Sequence, residues 1–77
     1  MNLEIISPDQ ILYKGEATGV KMPGADGSFE ILNNHAAIIA RLKEGEVRIN
    51  NGKNAPVKIH ITGGIVEALK NNVIILT

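Results

Sequence analysis

The sequence has 77 residues, of which 44% are hydrophobic, with no cysteine and a formal net charge of zero at pH 7. A chain of this length forms one small domain, residues 1–77, and the absence of cysteine excludes disulfide staples and thiolate metal sites. The scattered, balanced charges exclude the dense basic surface expected of a protein that binds nucleic acid or anionic lipid.

The N-terminal third of the chain predicts short strands separated by tight turns. Leu3 to Ile6 has the pattern of a first strand, and Ser7-Pro8-Asp9 follows as a turn, because proline fixes φ and Ser and Asp bond nearby backbone groups. Two further strands are predicted from Ile11 to Tyr13 and from Glu16 to Met22. Pro23 to Gly27 then predicts a tight, exposed loop in which two glycines can supply positive φ.

The middle of the chain is ambiguous. Phe29 to Leu32 predicts a short strand that ends at Asn33-Asn34. The next segment, Ala36 to Glu44, has good helix propensity, with Asn34 as a possible N-cap and Gly45 as a possible C′ residue. The segment is nevertheless short and lies among strands, which favours a strand. The residues alone leave both interpretations open.

The C-terminal half alternates apolar and polar residues more clearly. An alternating strand around Val47 precedes Asn51-Gly52, a hairpin signal, and a second alternating strand runs from Val57 to Ile61. Gly63-Gly64 and Asn71-Asn72 mark the next two turns. The last two strands run from Ile65 to Leu69 and from Val73 to Leu76. Short strands with turn signals about every 8 to 12 residues predict an all-β sandwich or barrel.

Few residues suggest chemistry. His35 lies in a predicted turn and His60 on the outward face of an alternating strand, and neither has neighbours at metal-ligand spacing. Ser28, His35 and Asp26 are close in sequence, but no nucleophile elbow surrounds them. The glycines from Gly24 to Gly27 are too few for a phosphate-binding loop. The sequence therefore predicts no catalytic residue, no metal and no cofactor.

Two binding hypotheses remain. Lys53, at the tip of the predicted hairpin, resembles the lysine that biotinyl and lipoyl carrier domains present, although its neighbours Gly52 and Asn54 differ from theirs. The adjacent pairs Ile38-Ile39 and Ile74-Ile75 place one apolar side chain on each face of a strand. A thin domain cannot bury both faces, so the surplus predicts a protein interface.

Several motifs together resemble the epsilon subunit family of F-type ATP synthases, over the whole chain. They are the stretch from Gly27 to Ile39, with Phe29-Glu30-Ile31 and His35-Ala36-Ala37, then Leu42-Lys43-Glu44-Gly45 and Thr62-Gly63-Gly64-Ile65-Val66-Glu67. The resemblance implies a sandwich of two sheets with about ten strands, and it implies that Ala36 to Glu44 is extended. Glu30, Ala37, Glu44 and Thr62 depart from the family pattern without removing a chemical group.

The resemblance also implies a function. It implies a non-catalytic rotor subunit of the central stalk, bound to the gamma subunit and to the c-ring, without the family's C-terminal inhibitory helices. By position, Gly24, Ala25, Asp26, Gly27 and Ser28 would meet the c-ring, and His35, Ile38, Ile39 and Ala40 would meet gamma. The chain starts without the basic region and apolar run of a secretory leader, so we expect a cytoplasmic chain. The resemblance implies that it lies peripherally on the cytoplasmic face of the inner membrane.

Overall fold

The computed structural model describes residues 1–77, which form nine β-strands and no helix. The all-β prediction is confirmed, with nine strands where the family resemblance implies about ten. The strands are β1 Asn2–Ile6, β2 Ile11–Glu16, β3 Gly19–Gly24, β4 Gly27–Leu32, β5 Ile38–Leu42, β6 Gly45–Asn50, β7 Val57–Ile61, β8 Gly64–Leu69 and β9 Asn72–Leu76.

The strands form two sheets that share one corner. The first sheet has the order β2-β1-β9-β8-β5, and the second has the order β4-β3-β6-β7. All neighbours are antiparallel except β1 and β9, which run parallel and pair the two ends of the chain. A single pair, Gly24 with Leu42, links β3 to β5 and makes the two sheets one continuous hydrogen-bonded path.

The chain leaves the first sheet for the second at Ala17 and Thr18. The Ala17 amide donates to the carbonyl oxygen of Met1 (2.9 Å), whereas the Thr18 amide donates to that of Asn50 in the second sheet (2.7 Å). The predicted strand from Glu16 to Met22 is therefore wrong at its start. Glu16 pairs with Asn2 and belongs to β2, because the change of hydrogen-bonding partner, rather than Gly15, ends that strand.

The ambiguous segment is extended. Residues Ile38 to Leu42 form β5, which pairs along its full length with β8. Asn34 does not cap a helix: it lies in a turn with φ of 62°, and the His35 amide donates to the Leu32 carbonyl oxygen (3.2 Å). Pairing with a neighbouring strand satisfies the backbone that a short helix would otherwise have to satisfy alone, so tertiary structure overrides local propensity.

Two-residue turns set the register of two hairpins. Gly24 pairs with Gly27, so only Ala25 and Asp26 lie at the tip of the β3–β4 hairpin. The β8–β9 turn consists of Lys70 and Asn71, with φ of 50° and 62°, which is the pattern of a type I′ turn. This turn lies one residue earlier than the Asn71-Asn72 turn expected from the sequence.

The hydrophobic core lies between the two sheets. Fifteen apolar residues are buried, and they come from the inner faces of both sheets and from the crossing at Ala17, with Tyr13 and Phe29 packed at the margin. Aliphatic side chains therefore fill almost the whole core, as the composition indicates. The core residues are Met1, Leu3, Ile5, Ala17, Val20, Met22, Ile31, Leu42, Val47, Ile49, Ile61, Val66, Ala68, Val73 and Ile75.

Gly64 is the glycine on which the register of β8 depends most. Its φ is +136°, and a Cβ there would overlap the carbonyl oxygen of Leu76. We expect Gly64→Ala to lower the free energy of unfolding by at least about 2 kcal/mol, measured by urea denaturation followed by circular dichroism.

The matched control for Gly64→Ala is Gly15→Ala in β2. A Cβ at Gly15 would lie 3.5 Å from the Tyr13 hydroxyl oxygen, an ordinary contact, and its φ is not positive. We expect this variant to change stability by less than about 0.5 kcal/mol. Equal losses in the two variants would show that the conformation of Gly64 is not what matters.

Candidate interaction surface

The outer face of the first sheet carries most of the exposed large hydrophobic residues of the chain. Of the eight large hydrophobic residues that are exposed, six lie on this face, and only Leu32 and Val57 lie elsewhere. The half-buried Ile6 joins them from β1. We call this surface the outer apolar face; it consists of Ile6, Ile11, Ile39, Ile65, Leu69, Ile74 and Leu76.

Strand register aligns these side chains in rows. Ile11 lies opposite Ile6, Ile6 opposite Leu76, and Leu76 opposite Ile65, so that one aliphatic row crosses four strands. The row forms because the bulge after Ile5 moves Ile11 into line with Ile6 and because β1 pairs with β9. Residues directly opposite in a sheet have Cβ atoms about 5 Å apart, so the row is continuous.

The two isoleucine pairs divide between the faces as predicted. Ile75 is fully buried, whereas Ile74 is 36% exposed. On β5, Ile38 packs against the core, and Ile39 is 67% exposed, the most exposed large hydrophobic residue of the chain. Ala40 also packs against the core, so of the three β5 residues assigned to a partner contact only Ile39 projects outward.

The β3–β4 turn, residues Gly24–Ser28, stands at the corner of the sandwich. Ala25, Asp26, Gly27 and Ser28 are exposed, but Gly24 is buried. A Cβ at Gly24 would overlap the Gly27 carbonyl oxygen and the Phe29 ring. Gly24 therefore allows the turn to close tightly and presents little surface itself.

Backbone hydrogen bonds fasten the turn to β5. The Ala25 amide donates to the Arg41 carbonyl oxygen, and the Lys43 amide donates to the Pro23 carbonyl oxygen, both at 2.9 Å. A cleft of about 420 Å³ lies between the turn and residues 38–41 of β5. The structure thus brings the two groups of sequence-assigned contact residues onto adjoining surfaces.

Both histidine side chains are exposed, and each has a hydrogen-bonding partner within the chain. The Nδ1 atom of His35 lies 2.7 Å from the carbonyl oxygen of Ala36, within its own turn. His60 is on the outer face of the second sheet, where its Nε2 lies 3.1 Å from the Glu44 carboxylate. The prediction that His60 is a solvated strand residue is confirmed.

The remaining surface differs sharply from the outer apolar face. Lys21, Arg48 and Lys58 lie opposite one another across three strands on the outer face of the second sheet. Lys53 lies in the exposed connection 51–56, where its amide and that of Asn54 donate to the Asn51 side chain. No helix in the structure is of a length and hydropathy that would cross a bilayer.

Comparison with known proteins identifies the family. The whole chain, residues 1–77, matches the family described as ATP synthase, Delta/Epsilon chain, beta-sandwich domain. The chain belongs to this family. Its curated relatives include the ATP synthase epsilon chain of Leptospira borgpetersenii serovar Hardjo-bovis, strain JB197, which is 43% identical over 77 residues. The epsilon chain of Chlorobium limicola is 39% identical over 75 residues.

The family domain accounts for only part of some relatives. The chain spans 60% of the Leptospira borgpetersenii epsilon chain and 85% of the Chlorobium limicola one. Among solved structures, a chain of the Euglena gracilis mitochondrial ATP synthase, OSCP/F1/c-ring in rotational state 1, matches 97% of this chain. That match has a TM-score of 0.89 at 19% identity and covers 48% of the Euglena chain, so it supports the sandwich fold.

Sequence reasoning found part of the outer apolar face of this epsilon-type sandwich and missed the rest. The missed residues are Ile6, Ile11, Ile65, Leu69 and Leu76. Adjacent apolar residues such as Ile5-Ile6 and Ile65-Val66 also place one apolar side chain on each face of a strand, as Ile38-Ile39 and Ile74-Ile75 do. Only the strand order shows that they share one face.

The two adjacent isoleucines of β5 allow a direct test of this orientation. We expect Ile38→Ser to lower the free energy of unfolding by about 2 kcal/mol and Ile39→Ser to lower it by less than about 1 kcal/mol, because only Ile38 packs against the core. Urea unfolding of both variants measures the difference. A larger loss at Ile39 would reverse the assigned orientation of β5.

Proposed function

We propose that the chain acts in the central stalk of an F-type ATP synthase, as a rotor element without catalytic residues that couples ion flow to ATP synthesis. Membership of the epsilon-chain family supports the complex to which it belongs. The observation that carries the mechanical role is the outer apolar face, because a domain of this size gains nothing from exposing six large hydrophobic residues to water on one sheet.

The outer apolar face is the proposed contact with the gamma subunit. Its aliphatic row, which crosses four strands, resembles the desolvated centre of a stable interface, which is close to a protein core in composition. Ile39 is the proposed anchor because it is 67% exposed and borders the other aliphatic side chains of the face. Ile38 and Ala40 support β5 from the core side, and His35 marks the edge of the contact.

The β3–β4 turn is the proposed contact with the c-ring. It presents the small and polar residues Ala25, Asp26, Gly27 and Ser28, which suit a hydrated contact with polar loops. Gly24 is buried and allows the turn to close tightly, because a side chain there would overlap Gly27 and Phe29. In this assignment the chain is held peripherally at the cytoplasmic face of the inner membrane, through its partners and without cofactor.

Introducing a charge at Ile39 tests the gamma assignment. We expect Ile39→Asp to weaken binding to a purified α3β3γ assembly at least about thirtyfold, because an unpaired carboxylate would be buried at the centre of the contact. Surface plasmon resonance with the immobilised assembly measures the affinity. Circular dichroism of the variant establishes that it is folded.

The matched control is Lys58→Asp, on the outer face of the second sheet. Since this face is not part of the proposed contact, we expect the affinity of Lys58→Asp to stay within about twofold of the unsubstituted chain. Equal affinities for Ile39→Asp and the unsubstituted chain would refute the assignment of the outer apolar face to gamma.

A reconstitution tests the coupling role. Added to membrane vesicles whose ATP synthase lacks its epsilon subunit, the 77-residue chain is expected to restore ATP-driven ion uptake, since it offers surfaces for both gamma and the c-ring. Fluorescence quenching of a pH-sensitive dye measures the uptake in a proton-coupled enzyme. Recovery by Ile39→Asp as complete as that by the unsubstituted chain would contradict the proposal.

A further inference from the structure

Glu67 occupies an unusual position on the outer apolar face. It projects outward from β8, and the residues directly opposite it on the two neighbouring strands are Ile39 and Ile74. It is also the only charged residue that lines the depression of about 320 Å³ formed with Ile6, Ile39, Ile65, Ile74 and Leu76. A single carboxylate therefore stands in an otherwise aliphatic depression. Glu4 lies on the same face of the sheet, opposite Ile74 on the side away from Glu67.

No cation of the chain forms an ion pair with this carboxylate. Lys14 lies in the same cross-strand row but opposite Glu4, three strands away from Glu67. Arg41 lies on the adjoining strand but opposite Ile65, so it is diagonal to Glu67. The close contacts between a carboxylate and a nitrogen base are those of the Met1 amino group with Glu16 and of the His60 imidazole with Glu44. Glu67 has no ion-pair partner, and while the face is uncovered only water solvates its charge.

Binding would be unfavourable for a partner that covers the face but offers no group to pair with the Glu67 carboxylate. A purely aliphatic partner would remove water from the carboxylate and leave it unpaired, which strongly opposes binding. A partner with a guanidinium or ammonium group above Glu67 would instead gain a charge-assisted hydrogen bond in a water-poor setting. The aliphatic residues supply the area of the contact, and Glu67 selects among partners that match this area.

We propose that Glu67 is the specificity-determining residue of the outer apolar face and that it pairs with an arginine or lysine side chain of gamma. The inference rests on the proposed function, since it takes gamma as the occupant of this face. It adds the chemistry that the partner must present: an apolar patch containing one cationic side chain, placed between the positions that cover Ile39 and Ile74.

Binding of Glu67 variants to the α3β3γ assembly tests the proposal. We expect Glu67→Gln to weaken binding at least about tenfold and Glu67→Lys at least about hundredfold, because the first removes the charge and the second opposes the partner's cation. Glu46→Gln and Glu46→Lys are the matched controls. Glu46 is an exposed, unpaired glutamate on the outer face of the second sheet, and we expect its variants to bind within about twofold of the unsubstituted chain.

A double-mutant analysis identifies the cation. Each arginine and lysine of gamma is replaced by alanine and measured against both the unsubstituted chain and Glu67→Gln. One replacement is expected to weaken binding of the unsubstituted chain but to have little further effect on Glu67→Gln, which is the signature of a direct pair. Urea unfolding of Glu67→Gln keeps a folding defect separate from a binding defect.

The outcomes separate this proposal from the one on which it rests. If the unsubstituted chain does not bind α3β3γ, the proposed function fails. If it binds and Ile39→Asp does not, but Glu67→Gln binds as tightly as the unsubstituted chain or more tightly, the contact stands and the role of Glu67 is refuted. If Glu67→Gln binds weakly but no basic residue of gamma couples to it, pairing with a cation is likewise refuted.

Discussion

The parallel ladder between β1 and β9 is the interaction on which the rest of the structure depends. It pairs five residues at the start of the chain with five at its end, from Asn2 with Asn72 to Ile6 with Leu76. Without it the first sheet would separate into the β1–β2 hairpin and a three-stranded remainder. The ladder places Ile5 beside Ile75 in the core, and it also aligns the outer aliphatic row, so the core and the outer apolar face rely on the same backbone hydrogen bonds.

The first sheet carries large apolar side chains on both faces, whereas those of the second sheet lie mainly on its inner face. A buried inner face is required for any sandwich, whereas an exposed aliphatic outer face stabilises nothing until it is covered. A partner that covers it removes apolar area from water and binds only the folded chain, so association would also raise the apparent stability of this thin domain. The outer face of the second sheet, with Lys21, Arg48 and Lys58, is by contrast charged and exposed to water.

Local patterns predicted the all-β class and the approximate position of most strands, because turn residues and alternation are encoded within a few positions. They were misleading where the tertiary structure decides. The segment around Ile38 has helical propensity but pairs with β8, and β2 extends to Glu16 because the partner strand, not Gly15, sets its end. The outer apolar face could be predicted only in part, since Ile6 joins Leu76 and Ile65 only through the pairing of β1 with β9, the two ends of the chain.

The attachment of the β3–β4 turn to β5 has a mechanical consequence. Most exposed hairpin tips can bend about their two strand ends, but this one, in the second sheet, is tied sideways to the first sheet by the Ala25–Arg41 and Lys43–Pro23 hydrogen bonds. A sideways force on the tip would load these bonds in parallel and pass into β5, the strand that carries Ile39. The corner of the sandwich therefore connects the β3–β4 turn to the strand that carries Ile39 through backbone hydrogen bonds, so that the two surfaces do not move independently.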